Sequence, residues 1–165
     1  MATALFYASS TGNTKDIAKK ITKNLDINDI FDIGSGNILL ARNYDKLIFG
    51  SSTWGEGELQ DDWEESWEQF KSLNFEGKTV ALFGLGDQDS YSDNFVDAMG
   101  MIYQVVILGG GNVIGFWSTA NYDFEDSIAQ IGDQFVGLAL DEDNQPELSD
   151  ERIQEWCNQI RNEII

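Results

Sequence analysis

Apolar and polar positions along the chain fall into two alternating rhythms. Unbroken apolar runs at Thr3–Ala8, Lys46–Ser51 and Thr79–Phe83 have the length of buried strands, with Ile30–Ile33 a weaker candidate. Val113–Trp117 and Phe135–Leu140 are further runs of the same kind. Between them the period lengthens to that of amphipathic helices. Asn13–Leu25 repeats Ile17, Ala18, Ile21 and Leu25 on one side, and Asp61–Leu73 does the same with Trp63, Trp67 and Phe70. Asn94–Leu108 reads as a third helix and ends at the turn signal Gly109-Gly110-Gly111. A fourth runs from about Asp150 to Glu163, behind Pro146, with Ser149 as its expected N-cap but no full capping box.

Strands alternating with helices at these intervals predict an α/β chain. The expected architecture is a three-layer, doubly wound α/β/α sandwich around a five-stranded parallel sheet, in one domain over residues 1–165. Ligands of such a sheet bind at the carboxyl ends of its strands, so function is expected in the loops that follow them.

Composition narrows the class. Of 165 residues, 42% are hydrophobic and 12% aromatic, enough for a packed core. No apolar stretch nears the ~20 residues that span a bilayer. Met1–Tyr7 has no basic start and no cleavage-like site, so no signal peptide is expected. Cys157 is the single cysteine and histidine is absent, which excludes an internal disulfide and a Cys-based metal cluster; no metal ligands and no catalytic residues are expected. These features predict a cytoplasmic protein.

Charge changes the picture more. The formal net charge is −19, and no basic residue stands between Lys46 and Lys71 or between Lys78 and Arg152. Nucleic acid and anionic membrane present like charge and are excluded as partners. The first gap holds Glu56, Glu58, Asp61, Asp62, Glu64, Glu65 and Glu68. Acidity alone is the mark of a solubility surface; this clustering makes a face for basic partners its competitor.

The loop after the first strand reads Ser9-Ser10-Thr11-Gly12-Asn13-Thr14, four hydroxyls and a run of backbone N–H groups at a helix N-terminus. Such a string is a capping cluster in its plainest sense. Its place after the first strand of a parallel sheet favours an anion, and its donors suffice for a phosphate monoester. A P-loop is absent. The nearest dinucleotide fingerprint, Gly84-Leu85-Gly86-Asp87-Gln88-Asp89, has aspartate at its third glycine.

Two further loops each offer one large aromatic: Ser52-Thr53-Trp54-Gly55-Glu56-Gly57-Glu58, and the stretch from Gly84 to Asn94 that contains Tyr91. Either alone reads as core or partly buried surface. Together, beside a phosphate cradle, they suit a flat ring system carrying one phosphate.

The hydroxyl loop, Thr-Trp-Gly-Glu-Gly-Glu-Leu-Gln, Gly-Asp-Gln-Asp-Ser-Tyr-Ser-Asp-Asn-Phe and the run over 135–145 occur in an order that resembles the flavodoxin family across the whole chain. The segment from about Ser118 to Gln134, within the last strand, resembles the insertion of the long-chain subgroup. The resemblance implies a monomeric, low-potential one-electron carrier that binds FMN without covalent attachment. It implies that Ser9, Ser10, Thr11, Gly12, Asn13 and Thr14 hold the phosphate, and that Trp54 and Tyr91 flank the ring. Ser52, Thr53, Gly55, Leu85, Gly86, Asp87, Asn94 and Asp143 are expected in the remaining cofactor contacts. The Gly55 carbonyl is expected to turn on reduction and accept a hydrogen bond from the flavin N5. Implied partners are redox proteins with basic docking faces, a reductase as donor and a low-potential enzyme as acceptor.

Two rivals share the architecture. A flavodoxin-like FMN-dependent reductase would need a second pocket and an acid–base group, and the chain has no histidine and no dinucleotide motif. A receiver domain would need a phosphoacceptor aspartate where Ser51-Ser52-Thr53 stands.

Overall fold

The computed structural model describes residues 3–165; Met1 and Ala2, part of the stretch read above for a signal peptide, lie outside the described residues. The chain runs β1 (Thr3–Tyr7), α1 (Asn13–Leu25), β2 (Asp29–Asp32), β3 (Lys46–Trp54), β4 (Glu58–Leu59), α2 (Asp61–Lys71) and β5 (Thr79–Leu85). It continues through α3 (Asp97–Leu108), β6 (Asn112–Ile114), β7 (Trp117–Ser118), β8 (Gln130–Ile131), β9 (Gln134–Phe135), β10 (Leu138–Leu140) and α4 (Ser149–Ile164). The central sheet has the order β10-β5-β3-β1-β2, all parallel. This is the doubly wound order for which flavodoxins are a type example, and its switch point lies between β1 and β3.

Strand side chains divide the core. Leu5, Ile48, Ala81, Phe83 and Leu138 pack on one face against Ile17 and Ile21 of α1 and Ile153, Trp156 and Ile160 of α4. Phe6, Phe49, Val80 and Leu82 pack on the other against Trp63 and Phe70 of α2 and Met99, Ile102 and Val106 of α3. The two buried tryptophans also satisfy their indole N–H groups: Trp63 donates to the Gly50 carbonyl at 3.0 Å and Trp156 to that of Gly115 at 2.8 Å. Cys157 is a packing residue, its thiol pushed up to about 12 by burial against the lowering effect of Arg161.

The last strand differs from its expected outline. β6 pairs with β5 at Thr79–Ala81 and β10 pairs with the same strand at Phe83–Leu85, so one edge position is shared by two short strands. Gly115, at φ +82°, turns the chain out of the sheet, which is why Val113–Trp117 is not one strand. Trp117 instead pairs with Phe135 in a separate three-stranded antiparallel sheet, β7-β9-β8. The intervening segment packs Tyr122 and Phe124 on Phe95 and Phe135, with ring centroids 5.1–5.8 Å apart.

Two helix starts also differ. α3 begins at Asp97, because a short 3-10 turn at Ser92–Asn94 and a left-handed Val96 (φ 48°) intervene. Ser149 is the first residue of α4 rather than its cap; its buried hydroxyl makes no hydrogen bond among the described residues, and a Pro146–Leu148 turn leads into the helix.

Candidate functional site

Four loops meet at the carboxyl ends of β1, β3, β5 and β10. They enclose an open trough of about 200 Å³ lined by Thr11, Asn13, Thr14, Ser52, Thr53, Trp54, Leu85, Gly86, Asp87, Tyr91, Glu142 and Asp143. A cavity of about 950 Å³ lies elsewhere, between α4 and the segment after β6. The smaller trough is the candidate site, because it sits at the switch point and joins a helix N-terminus to two exposed aromatics.

At one end is the start of α1. Gly12 is its N-cap residue; among the described residues no side chain caps the helix, and the Asp16 N–H is returned to the Gly12 carbonyl at 3.0 Å. The N–H groups of Asn13, Thr14 and Lys15 precede any intrahelical acceptor. Ser9 shapes the turn by accepting from the Gly12 N–H at 3.0 Å. A Cβ at Gly12 would meet nothing within 4 Å, so the approach to these donors is open. Uncommitted N–H groups, nearby hydroxyls and the positive end of the helix dipole form a donor set that fits a phosphate monoester.

At the other end stand the aromatics. Trp54 ends β3 and is 37% exposed, and Tyr91 follows β5 and is 43% exposed. Trp54 is held by pairing with Glu58 across the tight 55–57 turn. Thr53 anchors the same strand end to α3 by accepting from the Ala98 N–H at 2.9 Å. Two large, partly exposed aromatics on one trough are a platform for a flat ring.

The trough is acidic, and among the described residues no lysine or arginine lines it. Burial pushes the Asp143 carboxyl up, and the neighbouring Asp87, Asp141 and Glu142 add to this. Burial also acts on Asp87, but hydrogen bonds from Ser90, Asn144 and Asp89 outweigh it and hold this carboxyl below the usual range.

Of the sixteen expected residues, five do not line the trough. Ser9 and Gly12 build the α1 turn, and Ser10 accepts from Gln60. Gly55 lies in the turn beyond Trp54, and the Asn94 amide is spent on Asp97 at 3.0 Å. Three participants escaped sequence reasoning. Glu142 lines the trough beside Asp143, with only its place in an acidic run as a signal. Gln60 and Gln88 are buried glutamines that each reach a partner far along the chain, Ser10 for Gln60 and Asp123 for Gln88.

Comparison with known proteins identifies the family. The family model for flavodoxin matches residues 5–156. The chain belongs to the flavodoxin family. It is 48% identical over 160 residues to a flavodoxin of Synechocystis sp., covering 95% of this chain and 94% of that one. It is 44% identical over 165 residues to flavodoxin 1 of Escherichia coli, covering 98% and 94%. Among solved structures, Fusobacterium nucleatum flavodoxin bound to flavin mononucleotide superposes with a TM-score of 0.93 at 33% identity, covering 99% of each chain. No helix among the described residues is long and apolar enough to cross a membrane.

Proposed function

We propose that the chain is a one-electron carrier that holds a single FMN non-covalently in the trough and shuttles between redox partner proteins. The observation that carries this is the pairing of an uncapped helix N-terminus with two exposed aromatics across one narrow trough. Bound FMN would supply the redox chemistry, a ring that takes up and releases electrons one at a time.

The protein's own residues bind, orient and bias that ring. The N–H groups and hydroxyls of residues 9–14 would hold the phosphate, and Trp54 and Tyr91 would flank the ring. Because the trough is open, a ring held by these residues would stay accessible from solvent, as electron exchange with a docked protein needs. Asp87, Glu142 and Asp143 oppose added negative charge; a carboxylate ~10 Å away contributes ~0.4 kcal/mol in water and more beside a low-dielectric ring. A strongly reducing carrier is the consequence.

Acidic side chains around the trough, among them Glu56, Glu58, Asp61, Asp89 and Asp93, are exposed and suit partners with basic faces, a reductase as donor and a low-potential enzyme as acceptor. With its one buried cysteine, the carrier fits a cytoplasmic, monomeric life. Titration of FMN with apoprotein tests the binding half of this reading: flavin fluorescence should quench to a one-to-one end point, and persisting fluorescence would remove the reading.

A further inference from the structure

Asp141 follows β10 as a fully buried carboxylate, and it makes no ion pair among the described residues. Five N–H donors take the place of a cation. Oδ1 accepts from the backbone N–H groups of Asp143 (3.0 Å) and Asn144 (2.9 Å). Oδ2 accepts from the Gln88 N–H (3.0 Å), the Gln88 side-chain amide (2.8 Å) and the Asn144 side-chain amide (2.9 Å). The Asn144 amide also reaches Asp87 Oδ1 at 2.8 Å.

Gln88 extends this network beyond the trough. The residue is 5% exposed, and its Oε1 accepts from the backbone N–H of Asp123 at 2.6 Å. Asp123 lies in the 118–134 segment, which contributes nothing to the trough lining. One amide therefore ties three pieces together: the loop with Asp87 and Tyr91, the loop with Asp143, and the inserted segment. A buried side-chain amide with both ends committed is costly to disrupt, because each abandoned partner keeps its desolvation penalty.

From this bridge we infer that Gln88 is a positioning residue that sets the ring-flanking loop 86–91 and couples it to the 118–134 segment through Asp123. The inference rests on the FMN-binding reading above. The coupling runs both ways: what fixes the loop must also protect the Asp123 N–H. It concerns the ring half of the site only, since among the described residues the α1 turn shares no hydrogen bond with this network.

Riboflavin, which lacks the phosphate, probes the ring half, and inorganic phosphate competing against FMN probes the other half. Gln88→Met keeps the length of the side chain and removes both hydrogen bonds. It should weaken riboflavin binding about 10-fold, which is ~1.4 kcal/mol, and leave phosphate competition unchanged. In the unsubstituted protein, riboflavin should slow hydrogen exchange at the Asp123 N–H, and in Gln88→Met that slowing should vanish. Gln88→Glu, which keeps the acceptor for Asp123 but sets a carboxylate against Asp141, should weaken riboflavin binding while the Asp123 N–H stays protected. It also carries the test if the methionine variant does not fold. Unchanged riboflavin affinity, an equal loss of riboflavin and phosphate affinity, or an Asp123 N–H indifferent to riboflavin would overturn the inference. Failure of the unsubstituted protein to bind FMN would instead overturn the functional reading beneath it.

Discussion

The side-chain amide of Gln60 donates to the Ser10 hydroxyl at 2.8 Å, joining the start of α2 to the loop after β1, fifty residues earlier in the chain. The same glutamine caps α2: its Oε1 accepts from the N–H groups of Asp62 (2.8 Å) and Trp63 (3.3 Å), and only 1% of the residue is exposed. Gln60 therefore serves stability and site geometry at once. Gln60→Ala should lower the unfolding free energy of the apoprotein by about 1–3 kcal/mol, from the lost cap and the orphaned donors. It should also weaken FMN binding several-fold. Urea denaturation and flavin fluorescence check the two effects, and a destabilised variant with unaltered FMN affinity would remove Gln60 from the site.

Gly55 is left-handed, with φ +48°, and a Cβ there would meet only the Glu58 side chain, at 3.6 Å. Alanine therefore fits sterically, and its cost is confined to the backbone, ~1–2 kcal/mol in a left-handed conformation. The peptide after Gly55 is expected to turn on reduction, so this cost should differ between redox states. Gly55→Ala should fold normally and shift the midpoint of the first reduction step by roughly 60 mV, since 1.4 kcal/mol corresponds to ~59 mV for one electron. Potentiometry with an unchanged midpoint would show that the peptide does not move.

Asp87 and Asp143 should respond to pH with opposite signs. The depressed Asp87 carboxyl favours the folded state above its unfolded pKa, ~3.9, and this contribution is lost as pH falls through the folded value. The raised Asp143 carboxyl favours the folded state below the unfolded pKa, and that contribution is lost as pH rises through its folded value. At neutral pH the Asp87→Asn apoprotein should therefore melt below the unsubstituted protein and Asp143→Asn above it, with both differences shrinking at acid pH. Shifts of the same sign would contradict the assignment of these environments.

Particular residues show where the sequence was informative. The apolar runs located β1, β3 and β5 because strands buried on both faces leave unbroken hydrophobic stretches, which water-facing strands do not. Trp54 and Tyr91 stood out only as a pair, two loop aromatics beside a hydroxyl-rich helix start, since either alone reads as core or partly buried surface. The start of α3 was misplaced because Val96 adopts a conformation that β-branched residues avoid, so no local rule signals it. The division of the last strand into β6 and β10 hangs on Gly115 leaving the sheet beside Trp156, a tertiary choice. Gln60 and Gln88 were illegible for a related reason. A lone glutamine reads as surface until its partners, 50 and 35 residues away, are brought beside it.

The central claim is one-electron transfer on FMN held between Trp54 and Tyr91. The most direct test is the visible absorption spectrum of the FMN-loaded protein during stepwise anaerobic reduction. A long-wavelength band that rises to a maximum near one electron per flavin and then decays is the predicted result. Bleaching straight to the two-electron level, with no such band, would contradict the account.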